Sequence, residues 1–148
     1  MSTKLSEHFS LGEFVRSSTA QRMGIDNTPD AEAIENLRNL CTKVLEPLRE
    51  HLGQPVVITS GFRSKRLNEV VGGVKNSQHL RGEAADLMVE GEKQARDWIR
   101  WMMDFLEFDQ LILEKKGKKV WVHVSLKRNR QQVLKIELLR ILLCRYNS

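Results

Sequence analysis

Residues 77–86 read SQHLRGEAAD, a polar turn with a glycine that runs directly into a predicted strand. His79 lies in the turn and Asp86 lies on the strand, so both side chains can reach one point. A second stretch, WVHVS at residues 121–125, alternates polar and apolar residues as a half-buried strand does. The alternation predicts that His123 faces away from its two valine neighbours and can approach the same point from across a sheet.

Two histidines and a carboxylate suit a catalytic zinc ion, which takes three nitrogen or oxygen ligands from the protein and keeps a fourth position open for water. Such a ligand set leaves net positive charge on the metal, which makes a bound water more acidic. On spacing alone, each histidine is equally explained as a hydrogen-bonded core residue. The other two histidines, His8 and His51, are predicted to lie on helix surfaces.

The spacing of apolar residues around these stretches predicts both helices and strands. Helices are expected from a capping box at Ser10, over residues 28–52 with Thr28 as N-cap and a kink at Pro47, and over residues 65–71 and 92–106. The polar residues 17–27 are predicted to form a loop. Strands are expected over residues 55–59, 84–89, 108–114, 120–125 and 133–136. This order predicts an α+β fold with helices packed on a small central antiparallel sheet.

The domain is predicted to span residues 1–136. Residues 137–148 form a strongly apolar tail after the domain is complete. The tail is explained equally well as a helix that closes the core, as an oligomer contact, or as an appendage without a role.

The composition, 41% hydrophobic and 29% charged in 148 residues, is that of an ordinary globular domain with one core. The net charge of +5 reflects basic stretches near the C-terminus, which either attract polyanions or are simply solvated turns. The two cysteines predict no disulfide framework. No apolar stretch is long enough to span a bilayer, and the N-terminus lacks the apolar run of a signal peptide. We therefore expect the chain to be cytoplasmic as synthesised.

The pattern Ser-x-His-x-x-Gly-x-Ala-x-Asp, followed about forty residues later by Trp-x-His-x-Ser, resembles the zinc D-Ala-D-Ala carboxypeptidase family. This superfamily of metallopeptidases (the LAS group) includes phage endolysin peptidases, vancomycin-resistance D-Ala-D-Ala dipeptidases and the hedgehog signalling domain. The likeness covers about residues 5–136 and is greatest to the small versions in phages, prophages and bacterial genomes. It implies that His79, Asp86 and His123 are zinc ligands.

The resemblance also implies roles for three residues near the metal. Arg63, in the stretch SGFR, would bind a substrate carboxylate or a developing oxyanion, although an ordinary loop ion pair is the alternative. Ser77 would form hydrogen bonds at the rim of the site. Ser125 is explained equally as a support for the site and as an ordinary strand serine.

The general acid/base follows less directly, because many relatives place a glutamate three residues before the second histidine and this chain has Val120 there. The hedgehog-like arrangement instead matches Phe108-Asp-x-x-x-x-Glu114. A hairpin centred near Gly117 would place Glu114 opposite Val120, so Glu114 is the predicted acid/base. An ion pair of Glu114 with a nearby lysine is the alternative for that residue, and Asp109 and Glu83 are the other candidate carboxylates.

The resemblance thus implies a zinc metallopeptidase that hydrolyses stem or cross-link peptides of bacterial peptidoglycan, as a carboxypeptidase or as an endolysin-type endopeptidase. The alternative is a zinc-containing peptidoglycan-binding module without activity. Specific nucleic-acid binding is not expected, because the basic segments have no interleaved aromatic residues. The site of action would be the cell wall, reached through a holin pore or by a secreted form whose leader has been removed. The bond that is cleaved and the oligomeric state stay open.

Overall fold

The computed structural model describes residues 3–127, 130–137 and 140–145, with side chains up to Leu134. The helical elements are α1 (Leu11–Val15), α2 (Ser18–Met23), α3 (Ala31–Leu40), a π-helical turn (Cys41–Leu45), α4 (Glu46–Leu52), α5 (Lys65–Val70), a 3₁₀ turn (Gln78–Arg81) and α6 (Glu92–Phe105). The strands are β1 (Ile58–Ser60), β2 (Ala84–Met88), β3 (Gln110–Lys116), β4 (Lys119–Ser125), β5 (Gln132–Glu137) and β6 (Arg140–Arg145).

The strands form a six-stranded sheet in the order β1-β2-β4-β3-β5-β6. The α+β fold is confirmed, but the sheet is mixed, whereas an antiparallel sheet was predicted. The exception is the pairing of β5 with β3, which is parallel and starts at Gln110 opposite Gln132. The reason lies in the connection over residues 126–131. It leaves β4 at the end of the sheet where β3 begins, so a strand added beside β3 must run in the same direction as β3.

Alternation along the three central strands separates a core face from a site face. The core face consists of fully buried apolar side chains, namely Ala85, Leu87, Leu111, Leu113, Val122 and Val124. They share one cluster with buried residues of α3, α4 and α6, including Leu37, Leu48 and Met102. Each fully buried leucine or valine of this face contributes about 1.5–3 kcal/mol. The opposite face carries Asp86, Glu114 and His123.

Helix α2 lies within residues 17–27, where a loop was predicted. The hydroxyl oxygen of Ser17 accepts a hydrogen bond from the Ala20 N–H, and Gly24 ends the helix in a left-handed conformation with φ of 64°. These two caps stabilise a helix of six residues whose polar composition hides it in the sequence.

The long amphipathic helix also begins later than predicted. Its N-cap is Asp30, whose carboxylate accepts from the Ala33 N–H at 2.8 Å, whereas Thr28 donates its hydroxyl to Asp26. The expected disturbance at Pro47 takes the form of the π-helical turn. The Glu46 N–H donates to the carbonyl oxygen of Cys41, five residues back, and this makes the turn wider than a regular α-helical turn. The wide turn comes directly before Pro47, whose ring would clash with the preceding turn of a regular α-helix.

The hairpin between β3 and β4 is tighter than predicted. Lys116 pairs with Lys119 across a two-residue turn, and Gly117 adopts the left-handed φ of 61° that such a turn uses. The register is therefore one residue away from a hairpin centred on Gly117. Glu114 lies opposite Trp121 and not opposite Val120.

The C-terminal segment extends the sheet. Strand β6 pairs antiparallel with β5, so residues 140–145 of the apolar tail are an edge strand and not a closing helix. The remaining tail residues lie outside the described part of the chain. No helix among the described residues combines the length and the apolar character needed to cross a membrane.

We expect Gly82→Ala to destabilise the protein by at least about 3 kcal/mol, because two costs add. Gly82 has a left-handed φ of 73°, which costs other residues about 1–2 kcal/mol, and an added Cβ would overlap the backbone carbonyl oxygen of Ala33. The control is Gly117→Ala, which has a similar φ but open space around the added Cβ, and should lose only about 1 kcal/mol. Urea unfolding of both variants measures the difference. Equal losses would show that Gly82 is not in close contact with α3.

Candidate metal centre

Three elements hold the histidines and the carboxylate of the centre. His79 lies in the 3₁₀ turn, where the Ser77 hydroxyl oxygen accepts a hydrogen bond from the His79 N–H at 3.2 Å. Gly82 ends that turn against α3. Asp86 on β2 and His123 on β4 are direct partners in the antiparallel register. The fold therefore brings together the three residues predicted as zinc ligands.

The ligand atoms of this triad are close enough to hold one ion. Nε2 of His79 lies 3.4 Å from Oδ1 of Asp86, and Nδ1 of His123 lies 3.0 Å from the same oxygen. One potential ligand atom from each of the three residues lies within 4.8 Å of the other two. Atoms bound to one tetrahedral zinc at about 2.0–2.2 Å are about 3.3–3.6 Å apart. The donor types fit zinc, and the 3.4 Å separation of His79 from Asp86 lies in this range, whereas the 3.0 Å separation of His123 from Asp86 is slightly shorter.

The hydrogen bond on the far side of His79 also suits a metal ligand. Its Nδ1–H donates to the carbonyl oxygen of Gly61 at 2.6 Å, which leaves the lone pair of Nε2 directed towards Asp86. Backbone carbonyls commonly orient metal-binding histidines in this way. The bond ties the ligand to the loop that follows β1.

The electrostatics of the triad favour an ionised Asp86 and a neutral His79. Burial opposes the charge of Asp86, but electrostatic attraction to His79 and the hydrogen bond from His123 lower the pKa of this carboxyl well below its usual range. Burial lowers the pKa of His79. Burial also opposes the charge of His123, but its hydrogen bond and attraction to Asp86 outweigh burial and raise its pKa.

Arg63 lines the same cleft as the triad. Its backbone N–H donates to the His79 carbonyl at 3.1 Å, which ties the arginine to the metal-binding turn. Its Nε is buried without a hydrogen-bond partner, and its guanidinium forms no ion pair with any described residue. Burial lowers its pKa, while Asp86 and Glu114 act in the opposite direction. An arginine side chain that lines a cleft without an ion-pair partner can bind an anionic ligand there.

Glu114 lies beside the triad on β3. Its Oε1 is 3.9 Å from Nδ1 of His123, and its side chain is 19% exposed. Burial and the nearby charge of Asp86 raise the pKa of Glu114 to about 7. Among the described residues it forms no ion pair with a lysine, which was the alternative explanation for this residue.

The other two candidate carboxylates are engaged elsewhere. Asp109 is completely buried and accepts hydrogen bonds from Gln78 and Arg130. Glu83 pairs with Nε of Arg81 at 3.0 Å. Neither Asp109 nor Glu83 is among the residues that line the cleft of the triad.

The hydroxyl oxygens of the two predicted serines accept hydrogen bonds from backbone N–H groups. Ser77 lines the cleft, but its hydroxyl caps the turn that carries His79. The hydroxyl oxygen of Ser125 accepts from the Gln110 N–H at 3.1 Å and is buried in the sheet.

The network of Gln78, Asp109 and Arg130 was missed by sequence reasoning. Arg130 belongs to a basic stretch that was interpreted only as surface charge. Its position beside Asp109 depends on the parallel pairing of β5 with β3. The one available signal was Asp109, a carboxylate at the start of an otherwise apolar strand pattern.

We expect one zinc ion to bind per chain, with His79→Ala and His123→Ala each losing stoichiometric binding. The matched control is His51→Ala, because His51 is exposed and stacks on Trp101 away from the cleft. Metal analysis after dialysis measures the stoichiometry. Zinc at a hundred times its dissociation constant should stabilise the wild type and the control by about 2.7 kcal/mol, and the two site variants much less. Equal zinc content in all four proteins would place the metal elsewhere.

Comparison with known proteins matches the sequence to a family. The family model described as Peptidase M15 matches residues 7–125. The zinc D-Ala-D-Ala carboxypeptidase of Streptomyces albus G is 46% identical over 44 residues, which are 29% of this chain and 17% of that protein. The chain thus matches only a small part of that relative, whereas the family model covers most of the chain. The chain belongs to the peptidase M15 family.

Proposed function

We propose that the chain is a zinc-dependent peptidase that hydrolyses stem or cross-link peptides of bacterial peptidoglycan, as a carboxypeptidase or an endolysin-type endopeptidase. One observation carries the proposal. The His79–Asp86–His123 triad, a neighbouring carboxyl and an unpaired guanidinium line a single groove of about 1380 Å³. The substrate class is supported by the name of the Streptomyces relative, and the proposed place of action is the cell wall.

His79, Asp86 and His123 would hold the zinc ion. When bound there, zinc would supply Lewis-acid polarisation of a carbonyl group and would make a nearby water molecule more acidic. The two histidines and the carboxylate are held by three separate elements, so the site needs little rearrangement to bind an ion.

Glu114 is the proposed general acid/base. It lies on the same face of the sheet as His123, because Glu114 pairs with Trp121 and residues two apart on a strand share a face. In this position it would accept a proton from the attacking water and return that proton to the leaving amine. It would therefore have the role of the glutamate that many relatives have at the position of Val120.

Arg63 is the proposed anchor for negative charge on the substrate. Its guanidinium lines the cleft without an ion-pair partner among the described residues, and the backbone links it to His79. It would bind a substrate carboxylate or the oxyanion that develops as water attacks the carbonyl.

We expect Glu114→Gln to keep its zinc and its fold while turnover falls by at least about a hundredfold, since the amide preserves shape but cannot accept the proton. The assay is digestion of purified muropeptides, with the products identified by mass spectrometry so that the cleaved bond is also assigned. Glu107→Gln, at an exposed position before β3, is the control for loss of a carboxylate. Near-normal turnover of Glu114→Gln would move the role to another group. A zinc-loaded wild type that binds muropeptides without cleaving them would instead show a binding module.

We expect Arg63→Ala to retain full zinc occupancy while its kcat/KM falls. The fall should correspond to a loss of about 2–4 kcal/mol of transition-state stabilisation, because a charged contact with the substrate is lost. Arg66→Ala removes an exposed arginine from α5 and is the matched control. Steady-state kinetics on the same muropeptides, with zinc content measured in parallel, separate the two effects. Unchanged kinetics would show that Arg63 serves only the loop.

A further inference from the structure

Asp109 is a carboxylate with no exposed surface that lies outside the metal centre. Its oxygens accept hydrogen bonds from Gln78 Nε2 at 2.8 Å and from Arg130 through N at 3.0 Å, Nε at 2.7 Å and Nη2 at 2.9 Å. A buried carboxylate is stable when its lone pairs are filled in this way. The network connects the residue before the ligand His79 to the arginine.

The backbone that carries Arg130 is clamped to the start of β3. Gln131 adopts a left-handed φ of 52°, which costs a non-glycine residue about 1–2 kcal/mol. The conformation is held by hydrogen bonds in both directions with Phe108: the Phe108 N–H donates to the side-chain oxygen of Gln131 at 2.6 Å, and the Gln131 N–H donates to the Phe108 carbonyl at 3.2 Å. These bonds hold the backbone that follows Arg130 next to the start of β3.

The guanidinium of Arg130 is not fully used by this network. Nε and Nη2 bind Asp109, whereas Nη1 has no hydrogen-bond partner among the described residues. The side chain is 43% exposed and lines the cleft of the metal centre. A bidentate pair with one carboxylate through Nε and Nη2 leaves the N–H groups of Nη1 available to a second anion.

The charges along the cleft favour an anionic occupant. The only acidic side chains among its described lining residues are Asp86 and Glu114, both at the centre. The basic lining side chains are Arg16, Arg63, Arg81, Lys116 and Arg130, of which Arg81 is paired with Glu83 and Arg130 with Asp109. Away from the centre the cleft therefore presents positive charge to a bound chain.

We propose that Arg130 is a specificity-determining residue that binds a second carboxylate of the substrate, separate from the group bound by Arg63. The inference rests on the proposed peptidase function. In a peptidoglycan stem peptide we assign this contact to the free α-carboxylate of the γ-linked D-glutamate residue. This group is a charged acid in some peptides and an amide in others, so the chemistry offers a matched pair of substrates.

The experiment compares the pentapeptide L-Ala-γ-D-Glu-L-Lys-D-Ala-D-Ala with the same peptide in which the D-glutamate α-carboxylate is amidated. Wild type should cleave the acid peptide with a kcat/KM about 10–100 times higher than the amide peptide, with the difference mainly in KM. Arg130→Gln should lose this preference on the acid peptide and change little on the amide peptide. Arg130→Lys should restore part of the preference, and Arg22→Gln, at an exposed position off the cleft, should behave as wild type.

Three outcomes would overturn the inference. Equal wild-type kcat/KM values on the two peptides would overturn the inference before any variant is tested, and would not contradict the proposed peptidase function. An equal fall on both peptides in Arg130→Gln would give Arg130 a purely structural role, which zinc content and thermal unfolding of that variant would register. If zinc-loaded wild type cleaves neither peptide, it is not a carboxypeptidase acting on this stem peptide, and cleavage of cross-linked muropeptides tests the endopeptidase form of the proposed function. Calorimetric binding of the two peptides then decides the inference: preference for the acid that depends on Arg130 supports it, and absence of preference overturns it.

Discussion

Asp86 and His123 lie directly opposite each other on adjacent antiparallel strands, and their side chains meet at 3.0 Å. The position of the other groups of the site follows from this pairing. Strand β3 continues the register on the other side of β4, which places Glu114 next to His123. Because side chains alternate between the two faces, a slip of one residue in any of these pairings would turn a charged group into the core. The apolar core face thus keeps the site face in register.

The site concentrates groups that are costly to bury, and the fold offsets that cost by pairing most of them. Asp86 contacts two histidines, and Asp109 is surrounded by donors from Gln78 and Arg130. Removing one partner from such a cluster leaves a buried charge unpaired, which typically costs several kcal/mol. Arg63 is one exception, because its buried Nε has no partner among the described residues. Unpaired polar groups of this kind are concentrated at functional sites, where a ligand completes them.

Much of this arrangement was predictable from local patterns. The capping box at Ser10, the strands that carry Asp86 and His123, and the long helix α6 all appear close to their predicted positions. The errors concern two short features, a hairpin turn and a helix of six residues. A two-residue turn was taken for a longer one, which moved the partner of Glu114 from Val120 to Trp121. Residues 17–27 were predicted as loop because their polar composition outweighed the two caps that define a short helix.

By itself the sequence predicted the α+β class and, through a motif that resembles a known family, the candidate metal ligands, because the spacing of a motif and the periods of helix and strand can be read directly along the chain. Only the tertiary structure decided which groups surround that motif. The parallel β5 follows from the path of a crossover, and the burial that raises the pKa of Glu114 depends on distant packing. The contact between Asp109 and Arg130 joins residues 21 positions apart, at the two ends of a hairpin and its connection. Such contacts depend on how whole elements pack, and no local pattern records them.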